Sequence, residues 1–481
     1  MAVKFHEKAL ALFVLPQLTE GNSASKRTFT LTGTATITTG SPTITGVSSK
    51  YLTELKAGDI ITNVAGTVVG TVFSVTSDLL ATLTANGAVA VTAAAIINSK
   101  TAGTITTGLA STAVTGVGTT FLTDLVPGGY IKDLTGAIVG QVNSVTTDTA
   151  AVLVSNALIA LSAAKYATGL GPLNAVAVVN FNYSKEIDSE AFQYLGDELN
   201  RDEETSIKDT YCKTDFEVFV PSLGTIAGTD PVASEVPLAP LFTSSGMALV
   251  LSTGSQGFAK FTNSLASNSF LTIEVRRSSP DLVVAGTQKV YTLTDARGTI
   301  DLDGVIGTRG KLKFNYQGNL LEIAQQLKIT ENFGDQKAEH APSMSSKTIT
   351  TSELQLYVGA TEPTITNVKN FCFDKLTAPN FAGFDYQRFL TSCEDGWSKG
   401  ATPTDVTLAI LEDSADAIYN PDNNLEANHA LSIKFGNFVG KKTEFTFHKL
   451  QLTKITSSKI GTYVAQELGF RNVGSTDLIL R

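Results

Sequence analysis

The chain has 481 residues, 42% of them hydrophobic and 40 of them glycine, a composition that builds packed cores and excludes a disordered chain. Its 36 basic residues against 45 acidic ones leave a net charge of −9, which excludes a nucleic-acid face made of lysine and arginine. No run reaches the ~18 apolar residues of a membrane-spanning helix, so no membrane span is expected. Cys212, Cys372 and Cys393 form no CxxC pair and stand near no histidine pair; they read as free buried thiols in a reducing compartment, not as zinc ligands.

Residues 1–30 read as an N-terminal arm. The apolar run at 9–15 follows Lys4 and Lys8 and precedes Ser23, Ala24 and Ser25, the outline of a signal peptide. Glu7 in the would-be basic region and Pro16 at the end of a short run favour a strand or arm instead. From Thr32 to Gly169 the chain turns to threonine, alanine, glycine and valine, with only 5 Lys or Arg and 6 Asp or Glu. An ungapped repeat of period 70 accounts for this. Thr45, Gly46 and Val47 recur as Thr115, Gly116 and Val117; Leu52, Thr53 and Leu55 recur as Leu122, Thr123 and Leu125; Ser74, Val75, Thr76 and Asp78 recur as Ser144, Val145, Thr146 and Asp148. Two tandem β modules are therefore expected at 31–100 and 101–169, each a small sandwich or barrel with turns at Gly46, Gly58 and Gly66 in the first copy.

Beyond Gly169 two further regions are expected, 170–340 and 341–481. In the first, Val176, Val178 and Phe181 indicate a strand, and Phe216, Val218 and Val220 alternate with Asp215, Glu217 and Phe219 before Pro221. Residues 237–245 predict a short helix with Leu238, Leu241 and Phe242 on one side and Gly246 as its stop. In the second region, strands are expected at 353–358, 367–373, 430–435 and 444–452. Residues 404–419 predict a helix, with Val406, Leu408, Ala409, Ile410, Ala415 and Ile418 apolar, Thr404 as cap and Pro421 just beyond.

Candidate chemistry is sparse. Asp197, Glu198, Asp202, Glu203 and Glu204 lack the fixed spacing around a glycine that a calcium loop needs, and read as a solvated loop. Asp59 of the first module is Gly129 in the second, which argues against a shared metal role. Gly307 to Lys311 has the wrong spacing for a phosphate loop, with Leu312 where Ser or Thr belongs. Asp301, Asp303 and Gly304 read as a hairpin turn. His6, His340, His429 and His448 are scattered outside any HExxH pair, no GxSxG elbow is present, and the Asn182 sequon is at chance level. No catalytic, cofactor-binding or metal residue is assigned.

The order of strand at 215–220, loop, proline-marked helix, Gly246 and new strand resembles the core of bacteriophage tail tube proteins, the major tail proteins. KVY at 289–291, DARGTIDL at 295–302 and KLKFNY at 311–316 extend the resemblance with a strand, glycine turn, strand pattern. TGVGTTF at 115–121 is similar to small modules inserted in phage structural proteins; the first copy carries Ser48 and Tyr51 where the second has Gly118 and Phe121. The resemblance implies a mainly β fold: a tail-tube-like β-sandwich core of two related halves, each with a short helix, plus two inserted β modules. It implies a structural virion protein, not an enzyme, without cofactor or metal, assembled in the host cytoplasm into stacked hexameric rings. Its implied partners are its own copies, tail tip or baseplate and tail terminator proteins, a tape measure protein in the lumen, and DNA in transit. An acidic wall suits such transit, because each lysine–phosphate contact adds grip. In this reading the 186–204 segment reaches a neighbouring subunit or the lumen. A secreted or cell-surface adhesin with tandem β modules is the alternative, and a hydrolase with β appendages a third.

Overall fold

Residues with β-branched or aromatic side chains alternate with small and polar ones through most of the chain, and the protein is mainly β, with antiparallel sheets and three short α-helices among the described residues. The computed structural model describes residues 10–17, 29–55, 59–65, 67–99, 101, 103–134, 137–169, 174–176, 178–193, 203–223, 230–231, 236, 238–267, 269–278, 287–305, 310–327, 351–358, 368–370, 373–390, 395–411, 427–438 and 441–481. They fall into two units: 1–175 with 272–294 and 321–338, and 176–271 with 295–320 and 339–481.

The first unit contains both repeats. In the first copy Thr34–Ile37, Thr43–Val47, Leu80–Leu83 and Val68–Ser77 pair in succession, Ile60–Asn63 continues the run, and the short helix Tyr51–Glu54 crosses it. The second copy repeats this with Thr104–Thr107, Ala113–Val117, Ala150–Leu153, Ile138–Thr147 and Tyr130–Lys132, and the helix Phe121–Asp124. The correspondence reaches irregular features: a bulge falls between Val72 and Ser74 and again between Val142 and Ser144. Matching cores hold them together: Tyr51, Leu55, Ile61, Val69, Val72 and Leu83 in one, and Phe121, Leu125, Ile131, Val139, Val142 and Leu153 in the other. Gly33 and Gly103 sit at φ +78° and +72°, and a Cβ on either would come 2.3 Å from the carbonyl oxygen of Val47 or Val117.

A hydrogen-bond knot recurs as well. Asp78 Oδ1 accepts from the Leu52 amide and Asp148 Oδ1 from the Leu122 amide, each at 3.1 Å, so a remote aspartate satisfies a free amide in the first helical turn. Ser49 Oγ and Thr119 Oγ1 donate to the carbonyls of the same two aspartates, at 2.6 and 2.5 Å. The copies diverge where a buried acid is needed. Asn98 Nδ2 donates to the buried Asp59 at 2.6 Å. Gly129 replaces Asp59 in the second copy, where the buried Asp124 instead accepts from Thr120 Oγ1 at 2.7 Å and Tyr166 OH at 3.4 Å.

Each module is also closed at its ends. Phe29–Thr30, on the incoming side, pairs with the outgoing strand Ile96–Ser99, and Thr101 Oγ1 donates to the Tyr166 carbonyl at 2.8 Å as the chain passes into the second copy. The expected N-terminal arm includes a strand, Leu10–Gln17, in which Leu12, Phe13, Val14 and Leu15 are buried. It pairs with Phe270–Ser278, whose buried Glu274 and Arg276 are bonded side chain to side chain, with the guanidinium 4.8 Å from the Phe13 ring centroid.

In the second unit, Met247–Leu251, Ala259–Asn263, Thr476–Leu480, Lys441–Ile460, Asn428–Phe438 and Thr351–Val358 are successive neighbours. The far end of Lys441–Ile460 leaves that run and pairs with Tyr463–Asn472, which continues through Thr404–Leu411 and Phe373–Ala378 to the end of Thr287–Val305. Segments on both sides of residue 340 therefore share sheets. The helix predicted at 237–245 is present as Ala239–Ser244, with Leu241 and Phe242 buried and Gly246 at φ +93° just beyond its end. Tyr316 OH donates to the Leu241 carbonyl at 2.8 Å and lies 2.7 Å from Ser244 Oγ, docking the helix on the Lys311–Leu327 strand.

Three expectations are overturned. Gly46 is not at a turn but inside the strand Thr43–Val47, opposite Ala35. The helix predicted at 404–419 is, in its described part, the strand Thr404–Leu411, where Val406, Leu408 and Ile410 are buried and Leu408 and Ile410 pair on both sides. Its apolar residues follow a period of two, which a run of alanine and leucine disguised, and Thr404 Oγ1 donates to the Asn380 carbonyl instead of capping a helix. Residues 412–419 lie outside the described residues. Asp301, Asp303 and Gly304 are not a hairpin turn either; they continue the Thr287–Val305 strand, where Asp301 accepts from Asn315 Nδ2 and from the Asn380 amide, both at 2.8 Å.

The shared knot gives a paired test. Asp78→Ala and Asp148→Ala each remove one acceptor from a helical amide, at a cost of about 1 kcal/mol. Hydrogen exchange should read this as ~5-fold faster exchange at Leu52 or Leu122, confined to the altered module.

Candidate assembly edges

Strands in globular proteins usually run to about six residues. Glu203–Phe219 has 17, Lys311–Leu327 has 17, Thr287–Val305 has 19 and Lys441–Ile460 has 20. A strand of this length outruns its neighbours and leaves backbone groups facing solvent or a partner.

Two hairpins of the second unit have this property. In the first, Asn180–Gln193 pairs with Glu203–Phe219 along its whole length, from Asn180 opposite Glu217 to Gln193 opposite Glu203. The second ladder of Glu203–Phe219, to Lys311–Leu327, covers only Phe219 to Cys212, where Cys212 stands opposite Gly318. Among the described residues, the registered ladders of 203–211 run to Asn180–Gln193 alone. In the other hairpin, Lys441–Ile460 pairs with Asn428–Phe438 only as far as Gln451, and among the described residues the registered ladder of 452–460 runs to Tyr463–Asn472 alone. Its turn is Gly461 at φ +62° followed by Thr462, which fits the two-residue type II′ loop that matches strand twist.

Side chains fix the root of each hairpin. In the first, Phe216 stacks on Phe314 and Tyr316 at centroid distances of 5.5 and 6.0 Å. Asn180 Nδ2 and Lys311 Nζ both donate to Glu217 Oε2, at 2.9 and 3.1 Å. Cys212 is buried as a free thiol, as expected, with Tyr183 OH 3.3 Å from its sulfur; burial pushes its pKa up. Cys372 and Cys393 lie outside the described residues.

The root of the second hairpin is electrostatic. Asp477 is buried and accepts from Thr262 Oγ1 at 2.6 Å and Lys260 Nζ at 2.7 Å, with His448 Nε2 at 2.8 Å. Burial alone would raise its pKa, but the hydrogen bonds from His448, Lys260 and Thr262 outweigh it and hold the carboxyl at about 2. Above this root, Phe381 packs edge-on against Phe445 and Phe447 at 5.2 and 5.1 Å.

The candidate residues named from the sequence are dispersed among these elements. Of the acidic cluster expected as a solvated loop, Glu203 and Glu204 instead open a strand, while Asp197, Glu198 and Asp202 lie outside the described residues. Asn182 is on the first hairpin and donates to Asp215 at 3.3 Å. His429 is buried, which lowers its pKa, while His6 and His340 lie outside the described residues. Among the described residues, no group of three or more His, Cys, Asp or Glu side chains is placed to hold a metal ion. A cleft lined by Lys213, Asp215, Arg297, Asn315, Asp385 and Tyr386 balances two cations against two carboxylates, and no His, Cys or Ser lines it. No helix of the described residues is long and apolar enough to cross a membrane. The open edges are not visible in the sequence, because edge status depends on which strand stops first. No protein-family model matches the chain, and no curated protein matches it.

Asp477 carries a pH dependence of known sign. Its carboxyl titrates near 2 in the folded chain against about 3.9 unfolded, so its contribution is fully present above pH ~4 and is lost as pH falls through about 2. In Asp477→Asn, acid unfolding followed by circular dichroism should show a shallower loss of stability between pH 4 and 2. Identical acid profiles for the two chains would remove Asp477 from this role.

Proposed function

We propose that the protein is a structural subunit that assembles with copies of itself, and that the assembly is a phage tail tube: stacked rings enclosing a channel for DNA. The observation that carries this reading is the pair of long strands whose outer halves, 203–211 and 452–460, have registered ladders on one edge only among the described residues. An unpaired edge invites another strand, and a head-to-tail contact between two different edges of one chain generates rings when the rotation closes. Strands joined across subunits make a continuous wall and remove the edges at the same time.

The sequence pattern of strand, loop, proline-marked helix and glycine stop supplies the link to tail tubes, and the helix docked on Tyr316 gives that pattern a structural role. A net charge of −9 suits a wall past which DNA moves without being gripped. The remaining partners of this reading are the tape measure protein in the lumen and the tail tip or baseplate and tail terminator proteins at the ends, with the virion tail as location and no chemistry catalysed.

Electron microscopy of negatively stained protein at rising concentration tests the proposal. Rings or hollow tubes of uniform width are the expected result. Separate elongated particles at every concentration, even with a tail-tip nucleator, would favour an adhesin.

A further inference from the structure

The two open edges are matched in length and opposite in charge. Residues 203–211, EETSIKDTY, carry Glu203, Glu204 and Asp209 against Lys208; residues 452–460, LTKITSSKI, carry Lys454 and Lys459 and no acid. Each edge is nine residues long. The acids Glu204 and Asp209 are five residues apart, and so are Lys454 and Lys459.

We propose that the 203–211 edge of one copy pairs antiparallel with the 452–460 edge of the next, with Glu204 opposite Lys459 and Asp209 opposite Lys454. This rests on the assembly reading above and names the two surfaces that meet. The same register sets Thr205 and Ser206 opposite Ser458 and Ser457, small polar pairs that suit a strand interface. Both strands carry a bulge at the Asp209 end: Lys208 and Thr453 have no register partner in their own hairpins. The Glu204–Lys459 pair lies in the regular stretch and is the firmer of the two.

Three observations favour a second copy as the occupant. The 452–460 strand exposes Thr453, Lys454, Thr456, Ser457 and Lys459, so neither face of it is covered by a core. A strand at the margin of a sheet, exposed on both faces, gains from a further neighbour. Beside it, Tyr463 and Val464 at the turn are 69% and 50% exposed, apolar surface that a neighbouring strand would shelter. Finally, charge selects the partner: two 452–460 edges would bring lysines together, whereas the acidic edge complements them. The contact is thereby heterologous, the kind that propagates around a ring.

A charge swap tests the contact, read by sedimentation velocity of the full chain at low and at 0.5 M salt (a chosen ~10-fold range of screening), with circular dichroism confirming the fold of each variant. Glu204→Lys and Lys459→Glu should each weaken association by about tenfold. The double variant E204K/K459E should recover it, and high salt should weaken the wild type. Recovery in E204K/K454E instead would mean a parallel register and overturn the pairing. Association of both single variants at wild-type strength overturns this contact and leaves the tube reading standing. A wild-type chain that remains monomeric at every concentration overturns both.

Discussion

Backbone pairing between Glu203–Phe219 and Lys311–Leu327 sets what the rest of the second unit can do. Over the stretch from Cys212 to Glu217 the strand is bonded on both edges, and its inward side chains build the core. Phe216 stacks on Phe314 and Tyr316, Phe242 of the helix packs 6.1 Å from Phe314, and Tyr316 holds the helix by its hydroxyl. Where the second ladder stops, the same strand passes, among the described residues, from core element to edge. One strand thus performs both tasks because its two ladders differ in length.

The electrostatic root of the other hairpin complements this arrangement. Asp477 gathers Lys260, Thr262 and His448 from two neighbouring strands, which fixes Lys441–Ile460 laterally before it leaves the sheet. The exposed 452–460 part of this strand adds little packing of its own, so the strand depends on such a root. Aromatic stacking serves the first hairpin and a buried carboxylate serves the second.

Much of this was legible in the sequence where local pattern decides the structure. The repeat of period 70 locates equivalent strands, turns and helices, because ungapped identity forces equivalent geometry. Leu241, Phe242 and Gly246 marked the short helix correctly, since a glycine just past an apolar turn has few other uses, whereas Leu238, expected inside it, is its left-handed N-cap at φ +57°. Pattern failed where neighbours decide. In 404–411 a strand period was hidden among Thr407, Leu408 and Ala409, and only pairing with Phe373–Ala378 and Tyr463–Asn472 makes the segment β. Asp301 looked like a turn residue for its chemistry alone, yet its carboxylate is committed to Asn315 and Asn380 from distant segments. The open edges at 203–211 and 452–460 left no local trace beyond unusual length and charge.

The two modules solve one packing problem with different residues. Asp59 with Asn98, and Asp124 with Thr120 and Tyr166, are independent ways of satisfying a buried carboxylate inside otherwise equivalent cores. The copies have diverged at such interior positions while keeping their remote aspartate knots. The pairing of Phe29–Thr30 with Ile96–Ser99 brings the incoming and outgoing chain of the first module side by side. A segment whose two ends leave at one place behaves as a cassette: recombination between repeats can delete, double or exchange it without displacing its flanks. Copy number then becomes a trait that changes in single steps, and the junction serves as a socket into which a foreign domain with adjacent termini can be grafted.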